Sequence, residues 1–362
     1  EASSRLNIAR TTLLAIEKGQ RRVRLDEIQD LAKLYGTSAN SLLREESVQL
    51  DLVPRFRKTI KSNDFAATEA TSIFGDLVRA EVELEALLGV KRQQNLPPQR
   101  ALMPGNVSAQ AETDALSFRQ WLGLAQQPIQ DMITLLEIEM GVRTYVKKMD
   151  SRISGLFAYD ERAGACMLFN AIHPRERINQ TAAHETGHLI ASRELPEVLF
   201  EGDTGRAPEE QYASKFGRAL LTPARAVMQK FSDLTAGASK LTRRHIIVLA
   251  HSFGVSREAM VRRLEELELA KRGTWDWFQQ HGGISNQQAQ EVLGFGQSTN
   301  GEKIKSGANA LSSLRLAALA AEAWRREILS EGQLSSLLRI ERSELRAMFA
   351  SGEIDRGLMD DE

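Results

Sequence analysis

Residues 175–195, RERINQTAAHETGHLIASREL, carry the reading from which the rest follows. Pro174 stands just ahead, where its restricted φ suits a helix start, and few breakers interrupt the run, so the stretch reads as one helix. Positions four apart on a helix of about 3.6 residues per turn return to nearly the same face. His184 and His188 can therefore point at one ion, with Glu185 beside them. The chain holds 6 His in 362 residues, so two at this separation with a Glu directly after the first is a pattern that chance rarely makes. The spacing suits zinc.

A catalytic zinc takes three protein ligands and keeps one position for water, so a further imidazole or carboxylate must come from elsewhere. APEEQYASKFGRALLTP, residues 207–223, reads as an amphipathic helix whose apolar side is Tyr212, Ala213, Phe216, Leu220 and Leu221. Glu209 and Glu210 lie in its first turn, where the helix dipole also favours carboxylates, and spacing alone does not choose between them. Upstream the period changes. VRTYVKKM, ISGLFAYD and ACMLFNA are short and rich in β-branched and aromatic residues, and a turn at Asp160 to Gly164 predicts an antiparallel hairpin within a small antiparallel sheet.

Further out, helical patterns run from Ala109 to Ala125, with Trp121 expected as a core anchor, and from Pro128 to Met140. The stretch 91–106, with three prolines, reads as a linker after a long helix over Phe65 to Gly89. Pro54 and the cations Arg55, Arg57, Lys58 and Lys61 mark a connector at 45–62. Residues 1–44 carry eight basic and five acidic side chains, a local surplus of positive charge. Beyond residue 271 the chain is again helical, with a second turn-helix pattern near Ile340 to Phe349. The expected division is 1–44, 45–106, 107–270 and 271–362.

Two stretches resemble known families. SRLNIARTTLLAIEKGQRRVRLDEIQDLAKLYGTSANSLL, residues 4–43, resembles the helix-turn-helix of XRE-type repressors: a positioning helix ending near Leu6, a turn at Asn7 to Ala9, a recognition helix to Lys18, then packing helices. The stretch starts inside that pattern, without the usual first helix. The resemblance puts Arg10, Thr11 and Thr12 where base or phosphate contacts are made and Arg21 and Arg22 on phosphates; a protein-docking helical unit is the plainer reading of the same residues.

Residues from about 128 to 268 look like the ImmA/IrrE metallopeptidases: PIQDMITLLEIEMGVR, a hairpin, the HETGH helix and EEQYASKFGRALLTP, similar to that family's E-x-x-A-[ND]-x-F-A-x-x-L-[LM]-x-P element. This resemblance implies His184, His188 and Glu210 as zinc ligands, with Glu209 the fallback, and Glu185 as general base for peptide hydrolysis. It also implies a repressor-type substrate. His245 and His251 are candidates for an oxyanion donor, with weaker claims for His173 and His281. Two positions depart from the family pattern. Thr186 replaces the usual Leu, and Ser214 replaces the Asp or Asn expected to orient a ligand imidazole. Losing such a partner costs roughly 10–100-fold in metal affinity or activity.

The remaining composition narrows the class. Lys and Arg number 47 against 48 Asp and Glu, so no global field draws the chain to nucleic acid or membrane. No stretch approaches a membrane span. The single Cys166 has no intrachain partner and fits a reducing cytosol. The fold expected is mainly α (α+β): an XRE-like unit, a gluzincin-like zinc peptidase with a small sheet, and a helical C-terminal domain. The expected function is a cytoplasmic zinc peptidase and regulator with its own DNA-binding module, compatible with an oligomer. The competing reading is a non-enzymatic DNA-binding regulator or antitoxin-like protein built on a degenerate peptidase fold.

Overall fold

A computed structural model describes residues 8–35, 64–201, 207–236, 241–294 and 313–352, with Ser3, Leu6, Leu42, Leu52 and Phe56 as isolated positions. The chain divides into two compact units, one of Glu1–Asp51, Arg79–Lys91 and Leu316–Glu362, the other of Leu52–Val78 and Arg92–Arg315. In the first, α1 spans Arg10–Glu17 and α2 spans Leu25–Tyr35. α1 follows an extended Ala9, and Gly19 at φ +67° lies just past its end. It has no buried residue, while α2 buries Ile28 and Ala32. Glu27 in the first turn of α2 accepts from the Arg24 backbone N–H at 3.0 Å, a carboxylate placed where the helix dipole favours it. The expected positioning helix and the cation-rich connector lie outside the described residues, apart from the isolated positions named above.

α3, Phe65–Leu88, and α4, Val107–Trp121, are the long helices ahead of the sheet. The helix expected over 128–140 is instead one α turn, Met132–Thr134, followed by a wide π turn, Leu135–Glu139. Asp131 starts it late by accepting from Thr134 N–H at 3.0 Å, and Gly141 at φ +68° ends it. Glu137 is buried and turns onto Ser313, accepting its hydroxyl at 2.7 Å and the Arg315 N–H at 2.9 Å. Trp121, expected in the core, lies 41% exposed with its ring 5.7 Å from that of Phe118, which takes the interior place.

The sheet holds β1 (Arg143–Lys147), β2 (Ile153–Asp160), β3 (Gly164–Asn170) and β4 (Glu197–Phe200) in the order β1-β3-β2-β4. β2 and β3 form the expected antiparallel hairpin. The expectation of a wholly antiparallel sheet is corrected: β3 inserts between β1 and β2, and having reversed once at the hairpin it runs parallel to β1. β4, which the sequence reading did not identify, pairs antiparallel with β2 at the edge.

α5, Arg175–Ala191, lies across β2 and β3. Gly155 permits this, because a Cβ there would stand 2.8 Å from Thr181 Cγ2. α6, Pro208–Leu221, packs between α5 and α4. On its α4 side Phe216 meets Phe118 edge-on at 5.8 Å and Tyr212 donates its hydroxyl to Asp114 at 2.9 Å. Full burial of a side chain such as Phe216 contributes roughly 1.5–3 kcal/mol.

α7, Ala224–Thr235, then leads to α8, Arg243–Phe253, and α9, Arg257–Glu266, joined through Gly254 at φ +63°. Ile246, Leu249, Phe253, Met260 and Leu264 are buried, so this pair serves packing. The arginines of α9 bond within the chain, Arg257 to the Ser285 carbonyl at 2.8 Å, Arg262 to Asp276 at 3.0 Å and Arg263 to the Thr222 carbonyl at 3.0 Å. α10, Thr274–Gln280, and α11, Asn286–Leu293, complete this region. The C-terminal helices are α12 (Leu314–Arg325), α13 (Glu331–Leu338) and α14 (Arg342–Gly352), the last lying where the turn-helix pattern near Ile340 to Phe349 was expected. Among the described residues no helix is long and apolar enough to cross a membrane.

Candidate metal centre

The site is built where α5 and α6 touch most closely. A Cβ on Gly187 would lie 2.6 Å from Ala213 Cα, and one on Gly217 would lie 2.9 Å from the His184 backbone nitrogen. Both helices therefore present a bare backbone at the contact. His184, Gly187 and His188 share one face of α5, and Glu210, Ser214 and Gly217 share the facing stripe of α6. The close approach is what brings a first-turn carboxylate of α6 up to two imidazoles of α5.

The ligand-capable atoms of His184, His188, Glu197 and Glu210 lie within 4.8 Å of one another. The two Nε2 atoms are 3.1 Å apart. Glu210 Oε2 is 3.5 Å from His184 Nε2, and Glu210 Oε1 is 3.4 Å from His188 Nε2. Metal–ligand bonds of about 2.0–2.1 Å in tetrahedral geometry set neighbouring ligand atoms about 3.3–3.4 Å apart, so these three groups fit a zinc-sized ion within a few tenths of an ångström.

Each imidazole is oriented on its far side. Ser192, the residue that caps the C-terminus of α5, places its hydroxyl 2.9 Å from His188 Nδ1. Ser214 reaches His184 Nδ1 at 3.4 Å. The Asp or Asn partner of the family pattern is thus replaced by a shorter, neutral group that still touches the ring. Thr186, the other departure, is accommodated: its buried hydroxyl donates to the Ala182 carbonyl at 2.7 Å, one turn back.

Glu185 is 0% exposed, and neither of its carboxylate oxygens has a hydrogen-bond partner. Burial, then the charge of Glu197, pushes its pKa well above the usual carboxylate range. Burial likewise raises Glu197, against a hydrogen bond from His188. Burial would raise Glu210 too, but hydrogen bonds from His184, His188 and Glu197 hold it far below its ordinary value. Burial opposes charge on His188, yet its hydrogen bonds to Glu197 and Glu210 prevail and lift it to about 10. Three acidic side chains and two imidazoles thus share protons in a buried place, and a divalent cation that displaced those protons would be held by the groups left ionised. The donor set, two nitrogens and carboxylate oxygens, suits zinc and similar first-row ions.

Of the other predicted positions, Glu209 stays outside the cluster, as do His173, His245, His251 and His281. His245 closes a capping box with Thr242 at the start of α8, and His281 stacks on Trp277 at 4.2 Å. His173 is partly buried, and burial lowers its pKa. In the N-terminal unit Arg10 opens α1 exposed beside the exposed Thr11, Thr12 is half-buried and Arg22 is exposed. Arg21 grips Glu27 with a two-nitrogen fork at 3.0 Å. Glu197 was missed by sequence reasoning. It comes from neither helix, and no spacing rule links an edge strand to a two-His turn.

The family model of the IrrE N-terminal-like domain, Peptidase M78, matches residues 138–265. That range contains the sheet, both ligand-bearing helices and all four clustered residues. No curated protein matches the chain.

Proposed function

From the premise that residues 138–265 are an IrrE N-terminal-like domain of the M78 peptidases, we propose that the protein is a zinc-dependent peptidase. His184, His188 and Glu210 hold the ion. When bound, the ion polarises a water for attack and shares the negative charge that develops on the substrate carbonyl oxygen. Glu185 takes the proton from the attacking water and returns it to the leaving amine. Its burial, which raises its pKa, favours its taking up the proton that it then passes on.

The observation that carries this reading is the orphaned Glu185, a fully buried carboxylate with no hydrogen bond, on the same turn of α5 as the paired imidazoles. An unpaired buried acid is costly, and such groups persist where chemistry uses them. The substrate we assign is a repressor-type protein. Residues 1–44 act as an XRE-like DNA-binding unit, a reading supported by the exposed start of α1 at Arg10 and the local positive charge. The test is metal analysis of purified protein beside Glu185→Gln, each incubated with helix-turn-helix repressors. Both proteins should carry one zinc, with cleavage reduced about 10²–10⁴-fold in the variant. Metal-free protein, or a variant that cleaves as well as the parent, would remove the assignment. The 3.4 Å contact of Ser214 favours one second reading, a regulator that keeps the fold without hydrolysis. Metal-free protein that still binds operator DNA would support it.

A further inference from the structure

Glu197 is the one member of the cluster with no part in the hydrolytic scheme. It is the first residue of β4, 13 positions before Glu210 in the chain, and it reaches the site from the sheet rather than from either ligand-bearing helix. Its Oε2 lies 2.6 Å from His188 Nε2, hydrogen-bond distance and about 0.7 Å inside the spacing of two ligands on one ion, so a seated ion would part them; the same nitrogen stands 3.1 Å from His184 Nε2 and 3.4 Å from Glu210. Its side chain is 14% exposed, less than the 24% of Glu210, so the more deeply placed carboxylate is the one that the three-ligand scheme omits.

We propose that Glu197 is a fourth protein ligand, which closes the coordination position that a hydrolytic zinc keeps for water. The inference rests on the metal-site reading above. Catalytic zinc sites hold three protein ligands and structural sites hold four, and two His with two Glu make a closed set here. β4 suits a removable ligand. It is an edge strand of four residues that among the described residues pairs with β2 only, and Glu197 stands at the end of that ladder, opposite Phe157, so withdrawing Glu197 disturbs one short ladder end and leaves α5 and α6 in contact. The protein then stores its metal in a capped form, and hydrolysis begins when β4 shifts and the carboxylate leaves.

The test uses the full chain loaded with Co²⁺, and separately with Zn²⁺, comparing the parent with Glu197→Gln. The amide keeps the size of the side chain and is a poor ligand. Acetohydroxamate, a small ligand for open metal positions, is titrated while the visible Co²⁺ spectrum is followed. The variant should respond at hydroxamate concentrations at least about tenfold lower than the parent, and a competing chelator should strip its zinc about 10–100-fold more readily. Equal hydroxamate midpoints with equal zinc retention overturn the proposal. His188→Ala separates the two levels of failure. If the parent binds one Co²⁺, His188→Ala loses it and Glu197→Gln behaves as the parent, only the fourth ligand falls. If the parent binds no metal, the peptidase reading falls with it. Thermal melts of the variant, expected to match the parent, exclude misfolding as the source of a change, and Glu197→Asp, shorter by one methylene, should lie between the two.

Discussion

α5 and α1 are both helices whose sequence announces a chemical task, and they sit at opposite ends of the burial scale. α5 buries twelve of its residues, among them two imidazoles and a carboxylate, while α1 buries none. The difference matches what each proposed task needs, metal holding for α5 and DNA binding for α1. A metal centre works by holding charged groups away from water, so its motif must be enclosed by neighbours, and the glycines at 187 and 217 record that enclosure. A helix that meets DNA must keep its polar face in solvent until the partner arrives. The motif in α5 is therefore tested by the fold around it, and the one in α1 is not.

The contrast can be broken first at the helix contact. Gly187→Ala drives a methyl into Ala213 Cα, backbone that cannot swing aside. We expect a loss of about 1–3 kcal/mol in stability from overpacking, measured by denaturant unfolding, and weaker zinc retention as α6 withdraws Glu210. Unchanged stability would mean that the two helices are not closed against each other. A smaller effect sharpens the comparison from the other side. Ser214→Asp restores a charged acceptor to His184 Nδ1, now met by a hydroxyl at 3.4 Å, and should tighten zinc by up to about tenfold in chelator competition. Looser binding would place the limitation elsewhere. The smallest effect on the fold belongs to α1. Arg10→Ala should change stability by no more than about 0.5 kcal/mol, because nothing is packed over an exposed position. Its expected readout is weaker specific DNA binding in a mobility-shift titration, and unchanged affinity with unchanged operator preference would remove the recognition assignment.

Much of the site was legible because it is local. The spacing of His184, Glu185 and His188, the start of α5 after Pro174 and the first-turn carboxylates of α6 are properties of one or two helical turns, where periodicity speaks directly. The hairpin of β2 and β3 was legible for the same reason, through its turn. The π turn at Leu135–Glu139 was not, since it depends on Asp131 capping Thr134 and on Glu137 turning inward to Ser313, far along the chain. The parallel placement of β1 was equally hidden, because strand order is a choice among neighbours rather than a pattern within a strand. Ser192 looked like an ordinary residue near a helix end, and only the ring of His188 gives it a role.

From its sequence alone the protein determined which side chains share a helical face, where α5, α6 and the β2–β3 hairpin lie, and that two imidazoles and a neighbouring acid are available at one place. The tertiary structure decided the rest: that Glu210 rather than Glu209 meets them, that Ser214 and Ser192 orient the rings, and that Glu197 enters from an edge strand. The physical reason is range. Backbone periodicity carries information over a few residues, whereas bringing two helices within methyl-excluding distance at Gly187 and Gly217, and a strand end to the same place, depends on the packing of the whole domain.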